Sequence, residues 1–353
     1  MQRIVFASAI AATAFAAVPA DQREQLTAVM KTWVDEFGSD ASLLPHGASL
    51  DNVDDILSRL YATQNTIASL SKQNPDAKFG VGPFSLFSSA EFAEHVGKSF
   101  KHGAPKRVLR RENDSVDWES LPSSPAASPV DWTQSKCVNQ IKNQGNCGSC
   151  WAFSAAGVIE SAHCIATGTL LDIAEQQAVS CEVEDGQGGC EGGWPADSID
   201  WMVKTGMCLT KDYPYTSGTT GQNGVCKTSC AKQTFNLDGS VELKGEAGLT
   251  TGIQTQPISV AVEAGNDVWQ HYKGGVVSKC PGAQSDHAVI AVGIDSENGK
   301  DYYKIRNSWG AKWGEAGYIR LQRGVGGKGM CNVGEYPYYP KIKGTPAPTK
   351  PAC

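Results

Sequence analysis

The stretch Gln144-Gly145-Asn146-Cys147-Gly148-Ser149-Cys150-Trp151 is the part of the chain best equipped for chemistry. Its Cys147-x-x-Cys150 pair fits three chemistries. Half of a zinc site would need a second cysteine pair at good spacing, and the chain offers none. A thioredoxin-like redox pair should follow a strand of a βαβ unit, and the surroundings lack that pattern. In the third reading, which is favoured, Cys150 is a nucleophile and Cys147 a structural half-cystine. That reading carries physical requirements. A thiol with a pKa of about 8.5 supplies little thiolate in mild acid. A helix N-terminus favours the anion, because its N–H groups lack acceptors and its dipole points the right way. Trp151, Ala155, Val158, Ile159, Ala162 and Ala166 repeat at helix spacing, so a helix begins at Cys150. The thiolate also needs an imidazole, a group to orient that imidazole, and donors for an oxyanion.

The chain has six histidines, at 46, 95, 102, 163, 271 and 287. The first three lie in the N-terminal zone and its linker. His163 lies on the helix of Cys150 but more than three turns away, out of reach. His271 belongs to the polar-looking stretch Trp269-Gln270-His271-Tyr272. His287 opens the apolar run Ala288 to Val292. A lone strand-end histidine is more often a satisfied edge residue than a base. The turn Asn307-Ser308-Trp309-Gly310 shifts that balance, since an Asn oxygen can fix the imidazole tautomer and a Trp can cover the bond.

The elements that must position these groups follow from length and pattern. At 353 residues, 41% apolar and 19% charged, the chain supports about two domains with a sizeable core. Its net charge of −6 gives no basic face, which excludes nucleic acid as the expected partner. The apolar run Ile4–Val18 is too short to span a bilayer. With Arg3 before it and Val18-Pro19-Ala20 after it, residues 1–20 read as a secretory signal peptide. That places the cysteines in an oxidising compartment. Residues 21–110 lack cysteine. There Val53, Ile56, Leu57, Leu60, Tyr61, Ile67 and Leu70 line one face of a helix running from Asp51, its expected cap, to Asn74. Asp76–Gly82 reads as a turn, with Phe84, Phe87 and Phe92 following. A linker, 111–127, continues from a basic stretch with Lys106-Arg107 and Arg110-Arg111 and is rich in Ser and Pro, the composition proteases cut. It contains the one glycosylation sequon, Asn113-Asp114-Ser115. Residues 128–340 hold every cysteine except Cys353. Their first half is helical. Their second half reads as strands at 258–262, 287–292, 302–306 and 318–321, which predicts an α+β architecture with a helical lobe and a sheet lobe. Residues 341–353 form a Pro-rich tail.

Gln144-Gly145-x-Cys147-Gly148-Ser149-Cys150-Trp151, Asp286-His287-Ala288 and Asn307-Ser308-Trp309-Gly310 together resemble the three active-site blocks of papain-like cysteine proteases. The likeness runs over residues 128–340 and includes Lys142-Asn143-Gln144-Gly145, Cys190-Glu191-Gly192-Gly193 and Trp313-Gly314-Glu315-Ala316-Gly317-Tyr318. It implies a two-lobe fold with a cleft between a helical lobe and a β-barrel-like lobe. By position, Cys150 would be the nucleophile, His287 its acid–base partner and Asn307 the group orienting His287. The Gln144 side chain and the Cys150 N–H would form the oxyanion hole. Gly148, Gly192 and Gly193 would line the substrate, the glycine pair by strand addition, and Trp309 would shield the His–Asn bond. The S2 pocket would comprise Trp194, Pro195, Ala261, Ser285, Asp286 and Tyr336, a mostly apolar wall that suits a hydrophobic P2 residue.

The family pattern further implies disulfides Cys147–Cys190, Cys181–Cys226 and Cys280–Cys331. A likeness to cathepsin B spacing adds Cys137–Cys164 and leaves Cys208–Cys230. Cathepsin B's His-His occluding loop has no counterpart, which points to an endopeptidase. The 21–110 zone weakly resembles a cathepsin L-type inhibitory propeptide, matching its long helix at Arg59 and Asn74. Its Gly80-Val81-Gly82-Pro83-Phe84-Ser85-Leu86 segment lacks the family's Asn and Asp. The expected protein is therefore a secreted or lysosomal/vacuolar zymogen. It would be monomeric, with no cofactor, metal or membrane partner. It would act on proteins and peptides, be held by its own propeptide, and be open to cystatin-type inhibitors. The alternative is an inactive relative that binds or inhibits, against which the retained Cys150 and His287 stand.

Overall fold

The computed structural model describes residues 15–97, 126–183, 188–227 and 229–345. Most of the expected signal peptide, the linker to residue 125, Asn113 and Cys353 lie outside the described residues. The N-terminal part is built on two crossing helices, α1 (Arg23–Phe37) and α2 (Val53–Gln73). Leu26, Trp33 and Phe37 of α1 and Ile56, Leu57 and Leu60 of α2 are buried, at the spacing an amphipathic helix requires. The cap of α2 is Asn52, not Asp51: its side chain accepts the Asp55 N–H at 3.3 Å. The Asp51 N–H is still engaged in the preceding turn, with Ser49 Oγ. Arg59 joins α2 to α3 (Ser89–Gly97) by bonding Asp55 at 2.8 Å, Glu91 at 2.7 Å and the Leu86 carbonyl at 2.8 Å. Burial opposes ionisation of Glu91, but the Arg59 guanidinium and the Ser88 N–H hold its pKa below the usual value.

The catalytic-type segment folds around α4 (Cys150–Thr167), a helix buried on nearly all sides. It packs against α6 (Pro195–Thr205), with α5 (Glu175–Cys181) alongside, to form the helical lobe. The sheet lobe carries α7 (Gly245–Ile253), α8 (Asp267–His271) and most of the strands. In chain order these are β1 (Ala77–Phe79), β2 (Val130–Asp131), β3 (Leu237–Glu242), β4 (Ile258–Val262), β5 (Tyr272–Val277), β6 (His287–Glu297), β7 (Lys300–Arg306), β8 (Tyr318–Gln322) and β9 (Tyr338–Ile342). The sheet order is β1-β5-β8-β7-β6-β4-β9-β3, with β2 pairing β6 at Gly293 and Ile294 beyond the end of β4. All pairs are antiparallel except β5–β8. This is the α+β, two-lobe fold expected. Disulfides Cys137–Cys164, Cys147–Cys190, Cys181–Cys226 and Cys208–Cys230 staple the helical lobe, and Cys280–Cys331 ties the sheet lobe.

The segment read as a turn at 76–82 contains β1, which adds to β5 in the sheet lobe. A three-residue strand has no periodicity of its own; its partner comes from a distant part of the chain. The approach needs a glycine opposite: Gly275 has φ +78°, and a Cβ there would lie 2.2 Å from the Asp76 carbonyl oxygen. One apolar cluster runs without a break from Trp33, Leu60 and Phe92 to Trp269, Trp309 and Trp313. The N-terminal part is thus held by shared core as well as by strand pairing. Asn74 adds a polar anchor. Its buried Oδ1 accepts the N–H groups of Ser278 at 3.0 Å and Lys279 at 2.8 Å. Asn74→Ala leaves two donors unmet and is expected to weaken the docking by about 2 kcal/mol, about 30-fold in occupancy. The rate at which a thiol-directed epoxide labels Cys150 in the uncleaved chain checks this.

Candidate active site

Ser149 closes the turn before α4, and Cys150 is the first residue of the helix. That position lies in the first turn, whose N–H groups have no acceptor within the helix. Cys150 is fully buried and is the one described cysteine outside a disulfide. Its Sγ accepts the Ala288 N–H at 3.2 Å, which brings the start of β6, and His287 with it, onto the thiol. The sulfur of the helical lobe therefore bonds the backbone of the residue that follows His287 in the sheet lobe.

His287 is also fully buried. Its Nε2 lies 2.8 Å from Asn307 Oδ1. That oxygen accepts the Ser308 N–H at 2.8 Å too, so it is the acceptor and Nε2 carries the hydrogen. The lone pair is left on Nδ1, which has no hydrogen-bond partner. The Trp309 ring stacks on the imidazole, with centroids 4.7 Å apart and planes at 24°. Burial pushes the His287 pKa down to about 4; the Asn307 bond opposes this, and the charge of His95 on α3 adds to it.

Gln144 is held through both ends of its amide. Its Oε1 accepts from Ser308 Oγ at 2.7 Å, and its Nε2 donates to the Cys147 carbonyl at 3.1 Å. One amide hydrogen remains beside the sulfur-bearing turn. Gly148 donates its N–H to the Cys190 carbonyl, fastening that turn to the loop of Gly192 and Gly193. Gly192 has φ +102°, and a Cβ on Gly193 would lie 2.6 Å from the Trp151 ring. Only glycines keep this rim open and its backbone accessible.

Trp194 meets Tyr336 edge to face at 5.1 Å. Pro195 opens α6 behind Trp194. Ala261 pairs with Ala288 across β4 and β6, and Val262 with His287. Ser285 Oγ donates to Glu335, and Asp286 accepts the N–H groups of Ala264 and Gly265. Burial pushes the Asp286 pKa up to about 6 against those bonds. These residues come from four segments distant in the chain, linked by the Trp194–Tyr336 contact and by the pairing of β4 with β6.

Two features were not assigned in the sequence. Lys142 lies under the site with Glu160, Asp172 and Glu175 at 3.1, 2.7 and 2.6 Å. Although burial opposes it, these carboxylates hold Lys142 charged beyond the ordinary lysine range. The lone Glu160 inside an apolar helix pattern is the sequence signal for this cluster. Gln270, in the stretch read as polar, is buried, and its Nε2 donates to the carbonyls of Phe84 and Phe87 at 2.9 and 2.8 Å. The rings of Phe84 and Phe92 lie edge-on to Trp309 at 5.3 and 5.6 Å. The N-terminal part thus roofs the imidazole. No group of metal-ligating side chains occurs among the described residues, and no helix there is long and apolar enough to cross a membrane.

Residues 126–341 match the family described as papain family cysteine protease. Cysteine proteinase COT44 of Brassica napus is 36% identical over 321 residues, 87% of this chain and 96% of that one. Papaya proteinase 4 of Carica papaya is 34% identical, covering 84% of each chain. Among solved structures, the proform of the ragweed pollen cysteine protease Amb a 11 superposes with a TM-score of 0.76 at 26% identity, over 93% of this chain and 99% of that one. The recombinant stem bromelain precursor gives 0.73 at 27%, over 90% and 99%.

Proposed function

The chain belongs to the papain family of cysteine proteases, and we propose that Cys150, His287, Asn307 and Gln144 carry its peptide hydrolysis. It is a cysteine endopeptidase made as an inactive precursor, with its own N-terminal part as the intramolecular inhibitor. The observation that supports the assignment most is the seating of Cys150 Sγ against the Ala288 N–H, next to an imidazole whose Nδ1 lone pair is uncommitted. Once water reaches the cleft, the thiol proton passes to His287 Nδ1. The helix end and the imidazolium then hold the thiolate. The thiolate attacks the scissile carbonyl carbon. The oxyanion takes the spare Gln144 amide hydrogen and the Cys150 N–H. His287 returns the proton to the leaving amine, leaving an acyl-enzyme thioester. Water, deprotonated by His287, then attacks the thioester; the acid departs and the thiol is restored. Asn307 keeps Nε2 engaged so that Nδ1 faces the sulfur throughout, and Trp309 keeps water off that bond.

The working division is a signal peptide at 1–20, an inhibitory propeptide at 21–110, an activation linker at 111–127, the peptidase at 128–340 and a tail from 341. Five disulfides favour passage through the secretory pathway, with delivery outside the cell or to a lysosome or vacuole. The mature enzyme acts as a monomer, and a cystatin-type inhibitor would compete for its cleft. Tyr336 against Trp194 shortens the S2 pocket, so Val or Leu is preferred to Phe at P2. The test uses the full chain and an epoxide that traps active thiolates. Cys150 labels slowly before cleavage within 111–127 and at least about 100-fold faster after it. A P2 substrate library on the processed enzyme then selects Val or Leu. Equal labelling before and after cleavage would overturn the zymogen division, and a preference for Arg would overturn the apolar pocket.

A further inference from the structure

Beside the S2 wall lies a buried carboxylate that the reaction does not use. Glu335 directly precedes Tyr336 and is only 7% exposed. Its Oε2 accepts the Ser285 hydroxyl at 2.7 Å, and its Oε1 pairs with the Lys328 ammonium. A buried carboxylate is tolerable only when its charge is matched. Both the acid and its cation ride on one loop. The Gly334 N–H bonds the Lys328 carbonyl at 2.8 Å, and the Glu335 N–H bonds the Asn332 carbonyl at 2.8 Å. That loop is fastened to the segment leading into His287 by Asn332 Nδ2 on the Ala283 carbonyl at 2.9 Å and by Cys280–Cys331. The carboxylate is therefore held at the wall of the P2 site, not swinging in solvent. Lys328 reaches it from the outside, with its side chain 40% exposed.

We propose that Lys328 and Glu335 determine P2 specificity: the Lys328 ammonium occupies the charge that a basic P2 side chain would need, and so excludes Arg and Lys from the pocket. The inference rests on the placement of S2 at Trp194, Ser285 and Tyr336. The chemistry is simple competition. A guanidinium entering S2 would gain by pairing with Glu335, since both oxygens of the other carboxylate there, Asp286, already accept the N–H groups of Ala264 and Gly265. With Lys328 in place it must displace an intramolecular ammonium or bring a second positive charge beside the first. Without Lys328, the carboxylate is left buried and unmatched, and a P2 cation relieves it. Lys328 is the more exposed member of the pair and so the easier one to replace without disturbing the fold.

The experiment measures kcat/KM of the processed full chain on two peptides that differ only in Arg or Leu at P2. Lys328→Gln is expected to raise the Arg/Leu ratio at least about tenfold, about 1.4 kcal/mol. Lys328→Arg should keep the low ratio of the natural chain. Lys328→Gln combined with Glu335→Gln should return it to that low value. An unchanged ratio in Lys328→Gln overturns the inference, as does a raised ratio that persists in the double variant. Tyr336→Ala, assayed with Phe and Leu at P2, separates this from failure of the pocket placement. If that variant shifts the Phe/Leu ratio while Lys328→Gln leaves Arg/Leu unmoved, only the charge argument is wrong. If Tyr336→Ala shifts nothing, the placement fails and the inference falls with it.

Discussion

Cys150→Ala abolishes peptide hydrolysis by the processed chain, with kcat/KM falling about 10⁵-fold or more. Every covalent step runs through this sulfur, and no other described cysteine lies outside a disulfide. The remaining oxyanion donors can polarise a carbonyl, but nothing near them can attack it. Cys150→Ser falls nearly as far. A hydroxyl holds its proton far more tightly than a thiol, and an imidazole stacked under Trp309 gains little by taking it. The fold should survive both changes, because neither alanine nor serine is larger than the cysteine it replaces at the start of α4. Epoxide labelling followed by peptide mapping, with circular dichroism of the variant, is the measurement. Residual hydrolysis within tenfold of the natural chain, or labelling at another residue, would remove Cys150 from its role.

Acid loosens the propeptide through His271, and His271→Leu makes that loosening nearly independent of pH. His271 is 3% exposed, and its Nδ1 has no partner. It lines a cavity of about 100 Å³ together with Arg59, Thr63, Thr66, Phe87 and Ser88 of the N-terminal part. The charged groups facing it are Asp267 on its own helix and Arg59 on α2, the latter already bound to Asp55 and Glu91. Burial pushes its pKa down to about 4, with Asp267 opposing. In the released enzyme the ring meets water and titrates near its ordinary value of about 6.5. The docked state therefore prefers the neutral ring. Its contribution to docking is complete above pH about 6.5. It is lost, at up to about tenfold per pH unit, as the pH falls towards about 4. His287 has a similarly low value, but it does not add to this slope. On release it takes its proton from Cys150, so the pair binds no extra proton from solvent. The labelling rate of Cys150 in uncleaved chain, normalised to that of the processed enzyme, reads the effect. It should climb between pH 6.5 and 4 in the natural chain and stay nearly level in His271→Leu. An equal slope in both would place the acid response elsewhere.

His271 also illustrates what a chain pattern hides. Trp269-Gln270-His271-Tyr272 reads as polar, yet all four side chains are buried, because Trp313 packs on Trp269 and Tyr272 while α2 and the Phe84–Phe87 turn cover Gln270 and His271. Burial there is a property of two segments far apart, and local periodicity cannot carry it. The same holds for β1 and β2, strands of three and two residues that exist only through their partners. The long helices α2 and α4 and strands β4, β6, β7 and β8 were legible because each has enough residues for its own period to emerge.

The candidate site divides along the same line. The nucleophile turn, the histidine at a strand start and the Asn-Ser-Trp turn stand as short ordered motifs, because their chemistry needs particular side chains on particular local geometry. That much, with the α+β class and the papain-like family, was determined by the amino-acid order alone. Which imidazole nitrogen is left bare, how Gln144 is oriented by Ser308, and how Lys142 is caged by three carboxylates depended on the tertiary structure. So did the pairing of Glu335 with Lys328 and Ser285. Most of these bonds and ion pairs join residues with no shared period and no local propensity; they come into being only when the core brings the chain segments together.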